Sequence, residues 1–197
     1  MPGANDRHMV IAAGIGGSGV VWVGTLVARA GLRKYEYATR FPNFSALMRG
    51  GPCECTVILS GTPILSPLVA RGDALLILNN SQLPFFEERV RPGGVVILES
   101  TGLKAKLERK DLRLFEMPAI EIAASMGSTL VSSMILLGAY VEATNIFPPE
   151  FIERELETRF GMVETGVSAL GKEALLTQNV EAFRRGLELA KGKSDLS

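Results

Sequence analysis

Gly14-Ile15-Gly16-Gly17-Ser18-Gly19 places Gly14, Gly16 and Gly19 at GxGxxG spacing, directly behind the apolar run 9–13. Glycine permits a tight turn and lets a phosphate come close to the backbone. The helix that opens after such a turn offers free N–H groups to an anion. The chemistry this pattern suggests is the holding of a phosphate group by Gly14, Gly16, Gly17, Ser18 and Gly19. A second reading is a turn that only lets the next helix pack closely on a sheet. The dinucleotide form of the pattern is incomplete. An acidic residue should end the second strand about 20 residues on, to hold a ribose hydroxyl. Glu36 instead sits inside Lys34-Tyr35-Glu36-Tyr37, and the next acid is Glu54. No Gly-Lys-Ser/Thr is present, so this is not a Walker loop.

Met48-Arg49-Gly50-Gly51 is a second candidate. A guanidinium beside two glycines can present its fork to a phosphate or carboxylate while the backbone closes in. Read alone, Arg49 before a turn is also an ordinary surface arginine. Asn79 ends an apolar run, where open α/β sheets place ligands, but an Asn there also caps turns. Glu99 and Ser100 end the following run and carry the same two readings. Cys53 and Cys55 fall on a predicted strand. With one residue between them, they are expected to face opposite ways and not to pair, and to be small core groups rather than reactive thiolates.

The inventory excludes several chemistries. The chain has 197 residues, two Cys, one His and equal numbers of acidic and basic side chains, 21 each. Four cysteines for a [4Fe–4S] cluster, or four Cys/His for structural zinc, are not available. A Ser-His-Asp triad would need His8, which falls in an N-terminal lead-in. Zero net charge without a basic block leaves no footprint for nucleic acid. No signal segment is visible, and the apolar stretch 130–141 is too short to span a bilayer. A reducing, cytoplasmic setting and no membrane partner are the expectation.

The elements that must position these residues read as a single Rossmann-like α/β domain. Its sheet is expected to be mainly parallel, with helices on both faces and a helical C-terminal third. Strands are expected at 9–13, 35–41, 53–59, 73–78, 95–98 and 112–117, with a possible return strand beginning at Ile64 and Leu65. The segment 42–51 reads as a loop and Pro92-Gly93-Gly94 as a turn. Helices are expected over 20–30, in a short piece between Leu83 and Val90, and over 120–126, 129–143, 148–160 and 171–190. Ser132, Ser133, Gly138 and Ala139 would allow close helix approach, possibly across a subunit boundary. The domain is placed at 9–190, between a lead-in at 1–8 and a frayed tail at 191–197.

Several segments together resemble one family. Gly14 to Gly19, Met48-Arg49-Gly50-Gly51 and Cys55-Thr56-Val57-Ile58-Leu59-Ser60 are similar to the gamma subunit of 2-oxoacid:ferredoxin oxidoreductases. The pattern continues through Ser66-Pro67, Asp73-Ala74-Leu75-Leu76-Ile77-Leu78-Asn79 and Arg91-Pro92-Gly93-Gly94. It then runs through Ser133-Met134-Ile135-Leu136-Leu137-Gly138-Ala139-Tyr140, and through Asn179 with Ala182, Phe183 and Gly186. Ser18 stands where the family usually has Gln, and Glu99 where Asn is common. The resemblance implies an enzyme subunit converting a 2-oxoacid and coenzyme A to acyl-CoA and carbon dioxide, with electrons passed to ferredoxin. It implies thiamine diphosphate and iron–sulfur clusters on alpha-, beta- and delta-type partner subunits, with this chain contacting coenzyme A. Gly14 to Gly19, Arg49, Gly50, Gly51 and Asn79 would line that contact. Other readings are a free-standing NAD(P)-dependent oxidoreductase and a purely structural subunit.

Overall fold

The run Met9–Ala13 belongs to the central strand of a six-stranded sheet, and its burial on both sides explains why it is apolar at every position. This computed structural model describes residues 6–44, 51–103, 106–161 and 169–194. The strands are β1 (Arg7–Ile15), β2 (Tyr37–Phe44), β3 (Pro52–Ser60), β4 (Gly72–Ile77), β5 (Val90–Glu99) and β6 (Arg113–Met117). Their order is β2-β3-β1-β4-β5-β6. The helices are α1 (Val20–Gly31), α2 (Leu83–Phe86), α3 (Ala119–Ser125), α4 (Ser132–Thr144), α5 (Glu150–Gly161) and α6 (Ala169–Ser194).

Parallel pairing holds through β1, β4, β5 and β6. The remaining two pairings, β1 with β3 and β3 with β2, are antiparallel. Only residues 45–51 separate β2 from β3, and a parallel crossover needs a dozen or more. The two must therefore form a hairpin. β2 still runs in the direction of β1, as a strand–helix–strand unit requires, but β3 is inserted between them. Pro42 and Phe44, read as loop, are the end of β2. Ile64 and Leu65 form no strand, and Leu65 is almost wholly exposed.

The helices cover the faces unequally. One face, including Val10, Ala12, Val57, Leu59, Leu76 and Ile97, packs under α1, α3, α4, α5 and α6. The other face, with Ile11, Ile58, Leu75, Ile77 and Val96, meets Leu83 and Phe86 of the short α2 and the coil residues Ile64, Val69, Leu103, Leu107 and Leu112. Cys53 and Cys55 share the first face. Residues i and i+2 of a strand point the same way, so the expectation of opposite faces is corrected; both cysteines are nevertheless free. Pro92-Gly93-Gly94 is part of β5, where the pairing with β4 shifts register and Gly93 sits at φ 75°. It is a bulge rather than a turn.

α4 lies over β4 and β5 and beneath α6. Its close approach at Gly138 is to α6 of the same chain. A Cβ at Gly138 would collide with the Phe183 carbonyl oxygen, and one at Gly186 with that of Ile135. The two backbones touch at this crossing. α6 runs on to Ser194, beyond the expected stop, and β1 takes in Arg7 and His8, which were read as lead-in. At the far side, Glu155 of α5 clamps α1: Arg29 Nε donates to one carboxylate oxygen at 2.7 Å and Arg33 Nη2 to the other at 2.8 Å. Burial opposes the charge of Glu155, but the two guanidinium hydrogen bonds outweigh it and hold the carboxyl below its usual range.

Candidate functional site

β1 ends at Ile15, and α1 begins at Val20 after four intervening residues. The turn between them needs left-handed backbone at Gly17 (φ 95°) and Gly19 (φ 88°), a conformation costly for any residue with a Cβ. Gly14 is set by packing. A Cβ there would collide with Ser18 Oγ and lie 2.9 Å from Val20 Cγ2. A Cβ at Gly19 would lie 2.9 Å from Ser133 Oγ at the start of α4. Gly17 faces open space, with nothing within 4 Å of an added Cβ. The loop therefore packs inward at Gly14 and Gly19 and is exposed at Gly16 and Gly17.

The second glycine segment reaches this loop. Gly16 N donates to Gly51 O at 2.9 Å, continuing the β1–β3 ladder past Ile15 and Pro52. Gly51 itself is buried. Arg49 and Gly50 lie outside the described residues. Asn79 follows β4, the other neighbour of β1, and Leu78 N donates to Ala13 O at 2.8 Å. Gly14 to Gly19, Gly51 and Asn79 thus share the edge where β1 and β4 end. The side chain of Asn79 is occupied as a cap: its Oδ1 accepts from Ser81 N at 3.2 Å and Ser81 Oγ at 2.6 Å. Ser18 Oγ donates back to Ile15 O at 2.7 Å. The residue that sequence reasoning assigned only to packing is Ser133, which closes the loop's inner side. The small-residue stretch at the start of α4 was its only signal.

Among the described residues no side chain caps the N-terminus of α1, and its first turn holds no acid. Unbonded N–H groups of a helix start, with roughly half a positive charge from the helix dipole, favour an anion. Among the described residues of this edge, Gly14 to Gly19, Gly51 and Asn79 carry no titratable side chain, so what they offer a ligand is binding and orientation.

The other singled-out groups have structural duties. Glu99 is buried, accepting from Thr101 N at 2.6 Å and Ile120 N at 3.0 Å, which ties the end of β5 to the start of α3. Burial pushes the Cys55 thiol up to about 11, with a smaller opposing effect of Arg40, and also raises that of Cys53. Both thiols sit in the core, and a Cβ on Gly24 would collide with Cys55 Sγ. His8, at the opposite end of β1, has its Nε2 2.9 Å from the hydroxyl of the fully buried Tyr140. These donors do not fit an iron–sulfur cluster within this chain. Among the described residues no three His, Cys, Asp or Glu side chains converge as metal ligands would. Nor does any helix among them have the length and apolarity to cross a membrane.

A dinucleotide site fails on geometry. The strand beside β1 at the glycine loop is β3, not β2, so β2 lies two strand spacings away, about 10 Å. Glu36 precedes β2, at the opposite edge of the sheet from the loop. Glu54, on β3, is bound by Arg89 Nη1 and Asn43 Nδ2.

Known proteins share this architecture. Ketoisovalerate oxidoreductase subunit VorA of Methanothermobacter thermautotrophicus is 29% identical over 181 residues, which are 91% of this chain and 35% of that protein. 2-Oxoglutarate synthase subunit KorC of Methanocaldococcus jannaschii is 26% identical over 188 residues, 94% of this chain and 95% of its own. The solved 2-oxoglutarate:ferredoxin oxidoreductase from Magnetococcus marinus, with 2-oxoglutarate, coenzyme A and succinyl-CoA bound, superimposes with a TM-score of 0.80 at 24% identity. It covers 94% of this chain and 31% of that one. The chain therefore spans about a third of VorA and of the solved chain, and nearly the whole of KorC. The pyruvate ferredoxin/flavodoxin oxidoreductase family matches residues 9–189, and the chain belongs to it.

Proposed function

We propose that this chain is the gamma-type unit of a 2-oxoacid:ferredoxin oxidoreductase and holds part of coenzyme A at the edge where β1 and β4 end. The observation that carries this reading is the Gly16–Gly51 hydrogen bond, which joins both glycine segments beside the uncapped start of α1. Gly14, Gly16, Gly17, Ser18, Gly19, Gly50 and Gly51 would bring backbone to a phosphate, with Asn79 shaping the same edge. Arg49 would add the guanidinium fork. Thiamine diphosphate on a partner subunit would supply carbanion chemistry, and iron–sulfur clusters on partners would lead electrons to ferredoxin. Alpha-, beta- and delta-type subunits are the proposed partners, within the cytoplasm. This chain's own part is to bind and orient.

The test is the assembled enzyme carrying Gly16→Val or Gly50→Val. The apparent KM for coenzyme A should rise about tenfold or more, while the KM for the 2-oxoacid stays put. An unchanged coenzyme A constant in an intact complex contradicts the proposal. A scaffold reading draws on a specific observation too: Ser18 Oγ and Asn79 Oδ1 are already hydrogen-bonded within the chain. Photo-cross-linking with a coenzyme A analogue separates the two, because a scaffold would leave residues 14–19 and 49–51 unlabelled.

A further inference from the structure

On the side of α1 away from the sheet, α1 and α5 enclose a cleft of about 330 Å³, at the small end of the range for ligand pockets. Leu26 forms an apolar floor, and the half-buried Trp22 presents an indole. The Arg159 guanidinium carbon stands 5.9 Å from that ring's centroid. Glu155 also lines the cleft, but Arg29 and Arg33 satisfy both of its oxygens. Arg159 has no carboxylate within ion-pair distance among the described residues. The lining charges are Arg29 and Arg159 against Glu155, an excess of one positive charge. Thr25 and Thr158 give their hydroxyl protons to Val21 O and Arg154 O, at 2.7 and 2.8 Å. They offer acceptors only, so an acidic group is directed to Arg159 and not to them.

An aromatic wall, an apolar floor and a guanidinium with no carboxylate partner among the described residues fit a flat ring carrying one negative charge. We propose that this cleft binds a small aromatic carboxylate, with its ring on Trp22 and its carboxylate on the Arg159 fork. The cleft shares α1 with the glycine edge, but none of Gly14 to Gly19, Gly51 or Asn79 lines it, and the proposal does not depend on the function proposed for that edge.

Trp22 is the only tryptophan of the chain, so an ¹⁵N-labelled full-length sample gives a single indole N–H signal. Titration with 1-naphthoate should move that signal to saturation, with a Kd below about 1 mM. The neutral analogue 1-naphthalenemethanol should bind at least about tenfold more weakly, as should naphthoate to Arg159→Gln. Arg159→Lys, which keeps the charge and loses the fork, should fall between. The proposal is overturned by a shift that does not saturate, by equal binding of acid and alcohol, or by a response to coenzyme A and none to naphthoate. Should Arg159→Gln fail to fold, the acid-against-alcohol comparison on the unaltered chain decides.

Discussion

His8 and Glu155 both lose their stabilising contribution as pH falls, His8 because the fold keeps it neutral and Glu155 because the fold keeps it charged. Burial lowers the pKa of His8, against the smaller upward pull of Asp73 and Asp6; Lys34 and Arg91 add to the lowering. The folded chain keeps the ring neutral, whereas an unfolded histidine protonates near pH 6.5. Its stabilising contribution is therefore complete above about pH 6.5 and declines as pH falls toward the folded value. Melting temperatures of the natural chain should drop from about pH 7.5 to about pH 5.5, and His8→Gln should flatten that slope. An equal slope in both chains would assign the effect to other groups. Glu155 acts lower on the scale. Its folded carboxyl is depressed, so the contribution is present above the unfolded value of about 4.3 and disappears as pH falls through the folded one. Glu155→Ala leaves Arg29 and Arg33 unpaired. Arg29 is largely exposed, so water compensates part of the loss and the expected cost is about 1–2 kcal/mol at neutral pH, read from the urea midpoint.

At the scale of elements, the crossing of α6 over α4 brings two backbones into direct contact. Gly138 and Gly186 each face backbone of the other helix, so a methyl group at either has no flexible side chain to displace. Gly138→Ala should cost roughly 3 kcal/mol, or prevent soluble folding. Gly161→Ala, with nothing within 4 Å of its added Cβ, should leave the urea midpoint nearly unchanged. A Gly138→Ala midpoint as little changed as that of Gly161→Ala would show that the crossing relaxes. Most elements were legible in the sequence because period and punctuation agreed: the run before Gly14, the 3.6-residue spacing behind Gly19 and the apolar runs of β4 and β5. The β3 insertion was legible in principle, since residues 45–51 cannot make a crossover, but local pattern does not state partners. Pro92-Gly93-Gly94 was misread because a bulge and a turn use the same residue types. The site was legible as glycines. Asn79 as a cap was legible too, because its partner Ser81 is two residues away; that Ser133 abuts Gly19 depends on a tertiary contact that spacing does not encode.

Across the whole molecule, the unequal cover of the two faces sets where the fold opens. The face under α1, α4, α5 and α6 is sealed by long helices whose amides are bonded within each helix. The other face is held by α2 and by the coil around Ile64, Val69, Leu103, Leu107 and Leu112, which supplies a few apolar side chains and little regular hydrogen bonding. Segments with few buried contacts and exposed backbone open locally at low free energy, while central strands exchange only on global unfolding. Native-state hydrogen exchange should show amides of 62–71 and 106–112 exchanging at least about a hundredfold faster than those of β1, β4 and α4. Arg109 resists this opening at one point, because its Nη1 donates to Val90 O at 2.6 Å and to Glu87 O at 3.1 Å, pinning the coil to the start of β5. Arg109→Ala should therefore speed exchange in 106–112 while leaving β1 and α4 unchanged. If α4 quickened equally, the two faces would form one cooperative unit, and the thin cover would have no separate opening.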